Sequence, residues 1–581
     1  MWEKIPVVGA YFAVLLGIGF LARRKARQTT DDYFVASRTL PPYVLFFTMA
    51  ATNFSAFTVF GCSGAGWRIG YSFYPIMAFG TGFMALSFYF IGRPVWKLGK
   101  EKGLLTPPEL VFDRFNSPTL RLLFLGVMAA FTLPYLAMQP MAAGYALEGL
   151  LGIPYLAGAS LITAVMLLYT LFGGMRGVAW TDVFQGGMLL VLLMVALGIV
   201  ATSLGGLSVA NQNAASQWPA FFARPGMGGA FPAGIWLGYM LLWLFADPMF
   251  PQLFQRFYAA RGQRALNTTM IMYPLITGIL FLLPVSIGVL GRLAYPELPV
   301  GEASDRILPL LLGRFAPGPL EALVLTAALA ALMSTLDSQL LTLSSMFTQD
   351  LVKPIAARLG ASRLTPRQTS PRRGSPLVGK VFVALLALAG LGIAWRPSGT
   401  FLDIATEAFT GLAVLFPTVI ATLYWKRATA KGAIASILVG EGLVATYHFQ
   451  LVPKFGTLPV IPVVAAASLV LVLVSLLTRA REPEVRTVVQ PKGVQAEVIP
   501  PIASDRRARV RRWAWPLNFA VLFVLGNDFW AWNDGRLGPL GFPWWVWYCL
   551  GLCVLLAFAF WGFSRSRSVT GPIEPQYRER F

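Results

Sequence analysis

Four acidic side chains, Asp182, Asp247, Asp337 and Glu407, fall within long apolar runs of the sequence. A carboxylate in such surroundings is costly unless it faces a cavity, a cation or a partner, so each marks a place where chemistry can happen. Asp247 is followed by Pro248 and then by Pro251, so a helix carrying it must break there and release backbone carbonyls. Asp337 lies among Ser334, Thr335, Ser338, Thr342, Ser344 and Ser345. A single hydroxyl in a helix usually bonds back to the carbonyl one turn earlier, which is a structural role. The cluster offers more: Ser334 and Thr335 follow Ala331 by one turn, so two hydroxyls and a carbonyl can converge on one side of the helix. Several neutral oxygens gathered in this way suit a hard cation such as sodium, by analogy with other hard ions, and carbonyls freed elsewhere could complete the shell. Asp182 and Glu407 stand closer to the ends of their runs, where capping or reaching to the surface competes with a functional role.

Enzyme chemistry lacks its parts. The one histidine, His448, lies near the end of a run, and Cys62, Cys549 and Cys553 lie inside apolar runs without metal-type pairing. Haem ligation, zinc hydrolysis and histidine-based acyl transfer need more than this. No G-x-x-x-x-G-K-[ST] string is present, so ATP-driven transport lacks its usual phosphate cradle. A carrier driven by an ion gradient, not an enzyme, is what remains.

The elements that must position these residues are membrane helices. The chain is 56% hydrophobic and 13% charged, and its apolar residues gather into about fifteen runs long enough to cross a bilayer. Spans are expected near residues 5–22, 41–66, 71–92, 119–148, 153–173, 178–205, 232–257, 266–294, 317–350, 377–395, 400–425, 430–451, 458–478, 513–530 and 543–563. The net charge of +21 comes largely from the stretches Arg23 to Arg38, Arg93 to Arg114, Arg256 to Arg264, Lys353 to Lys380, Lys426 to Lys431 and Arg479 to Arg512, which alternate with connections poor in Lys and Arg. This is the positive-inside pattern, and it predicts a multi-pass protein of a bacterial inner membrane with its N-terminus outside and its C-terminus cytoplasmic. The longest basic loops, Lys353 to Lys380 and Arg479 to Arg512, hold none of the aromatics that a nucleic-acid groove interleaves, so nucleic acid is not an expected partner. The first apolar run is followed by its basic cluster and reads as a span rather than a signal peptide. The Arg/Pro-rich stretches near 353–380 and 479–512 read as flexible connectors.

Two spans contain helix breakers. The second passes through Thr52-Asn53-Phe54-Ser55 and then Gly61-Cys62-Ser63-Gly64-Ala65-Gly66, and the seventh meets Asp247-Pro248 and Pro251. They stand five spans apart, as in inverted-repeat carriers with a midplane site. The implied division is a leading span and loop at 1–40, a first unit at 41–205, an outer loop at 206–231, a second unit at 232–427, trailing spans at 428–480, a linker at 481–512, a span pair at 513–565 and a tail at 566–581. The breaks place a solute pocket at Phe57, Thr58 and Asp247, with Tyr135 and Gln139 of the fourth span facing them.

Further strings occur in a definite order over residues 1–480. They are Asp32-Tyr33-Phe34 with Ala36, Arg38 and Leu40-Pro41; Gly173-Gly174 with Asp182 and Gln185; Pro251, Gln255 and Arg256; Met333-Ser334-Thr335 with Ser344-Ser345 and Asp350; and Trp425-Lys426-Arg427-Ala428-Thr429 ahead of Gly432-Ala433. Together they resemble the sodium/solute symporter family, relatives of the bacterial proline, pantothenate and sugar symporters. The resemblance implies an all-α LeuT-type fold, with a leading helix, a five-plus-five inverted repeat and trailing helices. It implies sodium-coupled symport by alternating access and a Na+ site made by the carbonyls of Ala51, Phe54 and Ala331 and the hydroxyls of Ser334 and Thr335. Asp182 matches an aspartate that lies along the inward sodium path in sugar-carrying relatives. Asn53 stands where proline-type relatives have aspartate, which argues against an extra anionic sodium contact. Phe57 and Thr58 stand where sugar relatives present polar groups to a hexose, so an amino acid, a carboxylate or a vitamin-like acid is expected instead. Two alternatives stay open: a proton-coupled carrier titrating Asp182, Asp247 or Asp337, and a membrane sensor of the same fold, for which this sequence has no kinase- or receiver-sized soluble segment. The last two spans lie beyond the family core, and the tryptophans at 530 and 532 between them are expected at the membrane interface.

Overall fold

The computed structural model describes residues 2–25, 29–358, 377–397, 399–478 and 506–568. The tail beyond 568 and most of the expected connectors at 353–380 and 481–512 lie outside the described residues. Among those described, regular structure is helical apart from two isolated β-bridges, Leu40 with Ala260 and Leu537 with Pro543. The long helices are α1 (Ile5–Lys25), α2 (Pro42–Asn53), α3 (Phe57–Ile69), α4 (Phe73–Lys102), α5 (Pro118–Leu151), α6 (Tyr155–Ser203), α7 (Ala233–Met249) and α8 (Pro251–Ala259). They continue with α9 (Gln263–Ala294), α10 (Gly318–Arg358), α11 (Leu377–Ala394), α12 (Phe401–Tyr424), α13 (Ala430–His448), α14 (Val460–Leu477), α15 (Arg506–Asn527) and α16 (Trp544–Ser568).

Each expected span has its helix. By length and apolarity, 10 helices among the described residues could cross a membrane alone, or up to 12 with the bent pairs counted as spans. The first part of α6 is shorter, α13 carries Lys431 and Glu441, and α15 begins with Arg506-Arg507, so these three are weaker spans. The α2–α3 pair bends by 60° and the α7–α8 pair by 53°. At the first break Phe54 leaves the helix with φ −86° and ψ 91°. At the second, Pro248 and Pro251 supply no N–H to the helical ladder, and Phe250 between them is extended at ψ 125°.

Close backbone approach holds the bundle around these breaks. A Cβ on Gly66 would press on the Val285 carbonyl, and one on Gly288 on that of Ser63, so α3 and α9 cross through glycines on both sides. Helix α6 packs on α1, α2, α5 and α10, and turns at Gly174, whose φ of 54° and contact with Tyr33 exclude a side chain. That turn separates the two spans expected at 153–173 and 178–205. Helix α16 lies along α9 and α4, and the connection before it packs on the 206–231 segment: Asn211 Nδ2 donates to Leu540 O (3.0 Å), and Trp545 Nε1 to Phe222 O (3.1 Å). Trp530 is exposed as an interfacial ring would be, whereas Trp532 packs against Trp236.

Candidate functional site

Helix α10 passes the break between α2 and α3 and brings its hydroxyls to the carbonyls released there. Ser334 Oγ donates to the carbonyls of Ala51 (2.8 Å) and Ala331 (2.9 Å), and Thr335 Oγ1 to those of Thr52 (3.0 Å) and Ala331 (3.3 Å). All five residues are 2% exposed or less. A hydroxyl keeps two lone pairs beside its proton. Rotating both O–H bonds away from the knot therefore leaves neutral oxygens facing one centre, a donor set that fits a hard cation. Of the sequence-predicted ligands, Ala51, Ala331, Ser334 and Thr335 are gathered here, and Phe54 adjoins them as the residue that ends α2. The Thr52 carbonyl joins the set, which sequence reasoning had not foreseen.

One turn along α10, Ser338 Oγ donates to Ser334 O (2.7 Å) and sits 3.0 Å from Thr52 Oγ1. Arg256 of α8 reaches into this layer. Its Nη2 donates to Ser338 Oγ (2.7 Å) and Asp182 Oδ2 (3.0 Å), its Nε to Thr48 Oγ1 (2.9 Å) and its Nη1 to Gln252 O (2.9 Å). Thr48 in turn donates to the same Asp182 oxygen. Asp182 and Arg256 have wholly buried side chains, so Asp182 neither caps a helix end nor reaches to the surface. Asp182 Oδ1 has no hydrogen-bond partner among the described residues.

On the other side of the breaks, Asn53 Nδ2 donates to Tyr273 OH (2.8 Å), with the Asp247 carboxyl nearby. Tyr135 OH and Ser55 Oγ share a hydrogen bond (2.6 Å), and Gln139 Oε1 accepts the Ala56 N–H (3.0 Å). Tyr135 and Gln139 thus support the unwound backbone, which needs protein partners inside a membrane. Five rings form a wall: Phe57 and Trp243 lie 6.1 Å apart, Trp243 and Phe409 4.9 Å, Phe409 and Phe250 4.5 Å, and Phe250 and Tyr135 5.1 Å. Thr58 Oγ1 and Trp243 Nε1 are buried without hydrogen-bond partners among the described residues. Phe57, Tyr135, Gln139 and Asp247 are therefore brought together around the breaks, with Thr58 next along α3. Trp243, Phe250, Phe409 and Tyr273 were missed, although Trp243 precedes Asp247 by one helical turn, a spacing that could have flagged it.

The remaining intramembrane acids separate. Asp337 is buried in α10 and accepts from Ser338 Oγ (3.2 Å). Glu407 is half exposed, 2.5 Å from His448 Nδ1, beside a cavity of about 280 Å³ that Tyr239, Asp403 and Thr410 also line. Ties close both ends of the bundle. Arg68 of α3 pairs with Asp305 (2.9 Å), which also accepts the Phe401 N–H (2.8 Å) at the start of α12. Burial pushes the Asp305 carboxyl up to about 6, against the pull of Arg68 and the Phe401 N–H. At the opposite end, Asp350 of α10 accepts from Arg121 Nε (2.6 Å) and Thr106 Oγ1 (2.7 Å).

Two broken helices around buried neutral oxygens define a LeuT-type membrane transporter, and solved structures share that fold. One is a Na+-coupled sialic acid symporter in a substrate-bound outward-open state, with a TM-score of 0.69 and 20% identity, covering 82% of this chain and 98% of its own. Another is Mhp1, a nucleobase-cation-symport-1 family transporter, in a closed conformation with bromovinylhydantoin bound, at TM-score 0.52 and 14% identity over 76% of this chain and 92% of its own. The model of the sodium:solute symporter family matches residues 33–440, and the chain belongs to that family. The sodium/pantothenate symporter of Escherichia coli (strain K12) is 30% identical over 464 residues, 79% of this chain and 93% of its own length. The sodium/proline symporter of Staphylococcus aureus (strain JH9) is 25% identical over 492 residues, 82% of this chain and 93% of its own.

Proposed function

We propose that this chain couples sodium entry to uptake of a small organic solute across a bacterial inner membrane by alternating access, with its N-terminus outside and its C-terminus cytoplasmic. The observation that carries the reading is the knot in which Ser334 and Thr335 meet the carbonyls of Ala51, Thr52 and Ala331. Sodium binds there, with Phe54 contributing from the edge of the break, and leaves past Ser338 and Asp182. The solute binds across the same breaks at Phe57, Thr58, Tyr135, Gln139 and Asp247. Both ligands bridge α2–α3 to the rest of the bundle, so each favours the arrangement that the other needs, and their binding energies are reciprocally coupled. Residues 41–205 and 232–427 act as the two units that rock against each other.

The test is uptake by the purified chain in liposomes, driven separately by a sodium gradient and by a proton gradient. Sodium-driven accumulation that fails with a proton gradient alone supports the reading. Accumulation driven by protons without sodium refutes it in favour of a proton-coupled carrier.

A further inference from the structure

Asp247 is 2% exposed, at the break between α7 and α8. Its nearest polar side chain is the neutral Asn53, and among the described residues it forms no ion pair with Lys, Arg or His. Arg256, on the neighbouring α8, is committed to Asp182, Thr48, Ser338 and Gln252. A buried carboxylate with only a neutral neighbour is costly, and within a membrane such a group marks a ligand or ion path. Its surroundings are specific. Tyr135 and Tyr273 lie near enough to feel its charge, and Tyr135 belongs to the wall of rings completed by Phe57, Trp243, Phe250 and Phe409.

We propose that the solute brings the missing charge: it carries a protonated or quaternary amine that pairs with Asp247 while its apolar body lies against the aromatic wall. This rests on the sodium-coupled symport reading and narrows its substrate class. An ammonium gives a carboxylate charge-assisted hydrogen bonds, and aromatic faces attract a cation through their quadrupoles. The unpartnered Trp243 Nε1 and Thr58 Oγ1 are then donors for an acceptor group on the same molecule. Amine-bearing zwitterions satisfy both halves of the site. A carboxylate or vitamin-like acid without an amine would leave Asp247 facing a second negative charge.

Matched pairs of nearly equal shape test this: L-leucine against 4-methylpentanoate, L-proline against cyclopentanecarboxylate, and glycine betaine against 3,3-dimethylbutanoate. Binding is read as thermal stabilisation of the purified full chain at saturating sodium. The amine member of a binding pair should bind at least about tenfold more tightly than its partner, the scale of one hydrogen bond to a charged group. Asp247→Asn should erase that preference and Asp247→Glu should retain it, which separates loss of charge from loss of fold. An amine-free partner that binds as well as its amine, or a preference that survives Asp247→Asn, overturns the inference. Stabilisation by sodium alone, scored in the same wells, persists in either of those cases. Its absence in the wild-type chain would instead count against the symport reading.

Discussion

Replacing Arg256 by Gln tests the layer beneath the oxygen knot most sharply. The guanidinium makes four hydrogen bonds, and its ion pair with Asp182 has both side chains 0% exposed. Removing one partner of a buried pair strands the other charge and costs about 3–5 kcal/mol, several times the roughly 1 kcal/mol of a neutral hydrogen bond. Asp182 would then keep only the Thr48 hydroxyl, with Oδ1 already unpartnered. Arg256→Gln should therefore lower the melting temperature of the purified chain markedly, and adding Asp182→Asn should recover most of the loss because no charge is left stranded. Sodium affinity should move the other way. With its competitor gone, Asp182 attracts a cation leaving Ser334 and Thr335, so sodium should bind more tightly and turnover should slow. Melting curves and sodium activation of uptake would be measured for both single variants and the double variant. If the two destabilisations simply add, the side chains do not act as a pair and the reasoning fails.

Other predictions follow from the same geometry. Ser334→Ala and Thr335→Ala each remove a neutral oxygen, so the sodium concentration for half-maximal uptake should rise about tenfold for a loss of about 1.4 kcal/mol, with solute binding restored at high sodium; unchanged activation in the double variant refutes the site. Asp182→Asn should slow turnover at saturating sodium, and a normal rate would remove Asp182 from the exit path. Asp305 holds its proton up to about pH 6 in the folded chain against an ordinary value of 3.8, so the folded state binds more protons in that window and this group's contribution to stability falls as pH rises through it. Melting followed across that range should show a slope that Asp305→Asn removes; equal slopes would refute the burial argument. Reporter fusions should place 206–231 and 295–316 outside and 353–380 and 480–510 inside, and an inside signal from 206–231 would overturn the span count.

What could be read from the chain divides by the range of the interaction. Apolar runs, basic loops and the breakers at Asn53 to Ser55 and at Pro248 are local, and the helices appear where those signals put them. The hydroxyls of Ser334 and Thr335 were legible for the same reason, since one turn of α10 already gathers them with the Ala331 carbonyl. What α10 meets is not local. The Thr52 carbonyl enters the knot only because the α2–α3 bend stops at a particular residue, and backbone oxygens carry no sequence label.

Arg256 illustrates the limit differently. In sequence it reads as one of the basic residues, with Arg261 and Arg264, that are expected to mark a cytoplasmic loop. Arg256 differs because Pro251 restarts the chain as α8 at an angle to α7, carrying a residue near the loop back beneath the break. There Asp182 arrives from α6, whose direction is set at Gly174 by a contact with Tyr33. The pair thus depends on two bends made by different residues far apart in the chain. Neither bend specifies a partner alone, and a charge pattern cannot distinguish an arginine that anchors a loop from one that opposes a buried aspartate. The same logic explains why Asp247 stands out in the sequence while the wall of Trp243, Phe250 and Phe409 does not. An acid inside an apolar run stands out by composition, whereas aromatic residues there are ordinary until the break turns them toward one centre.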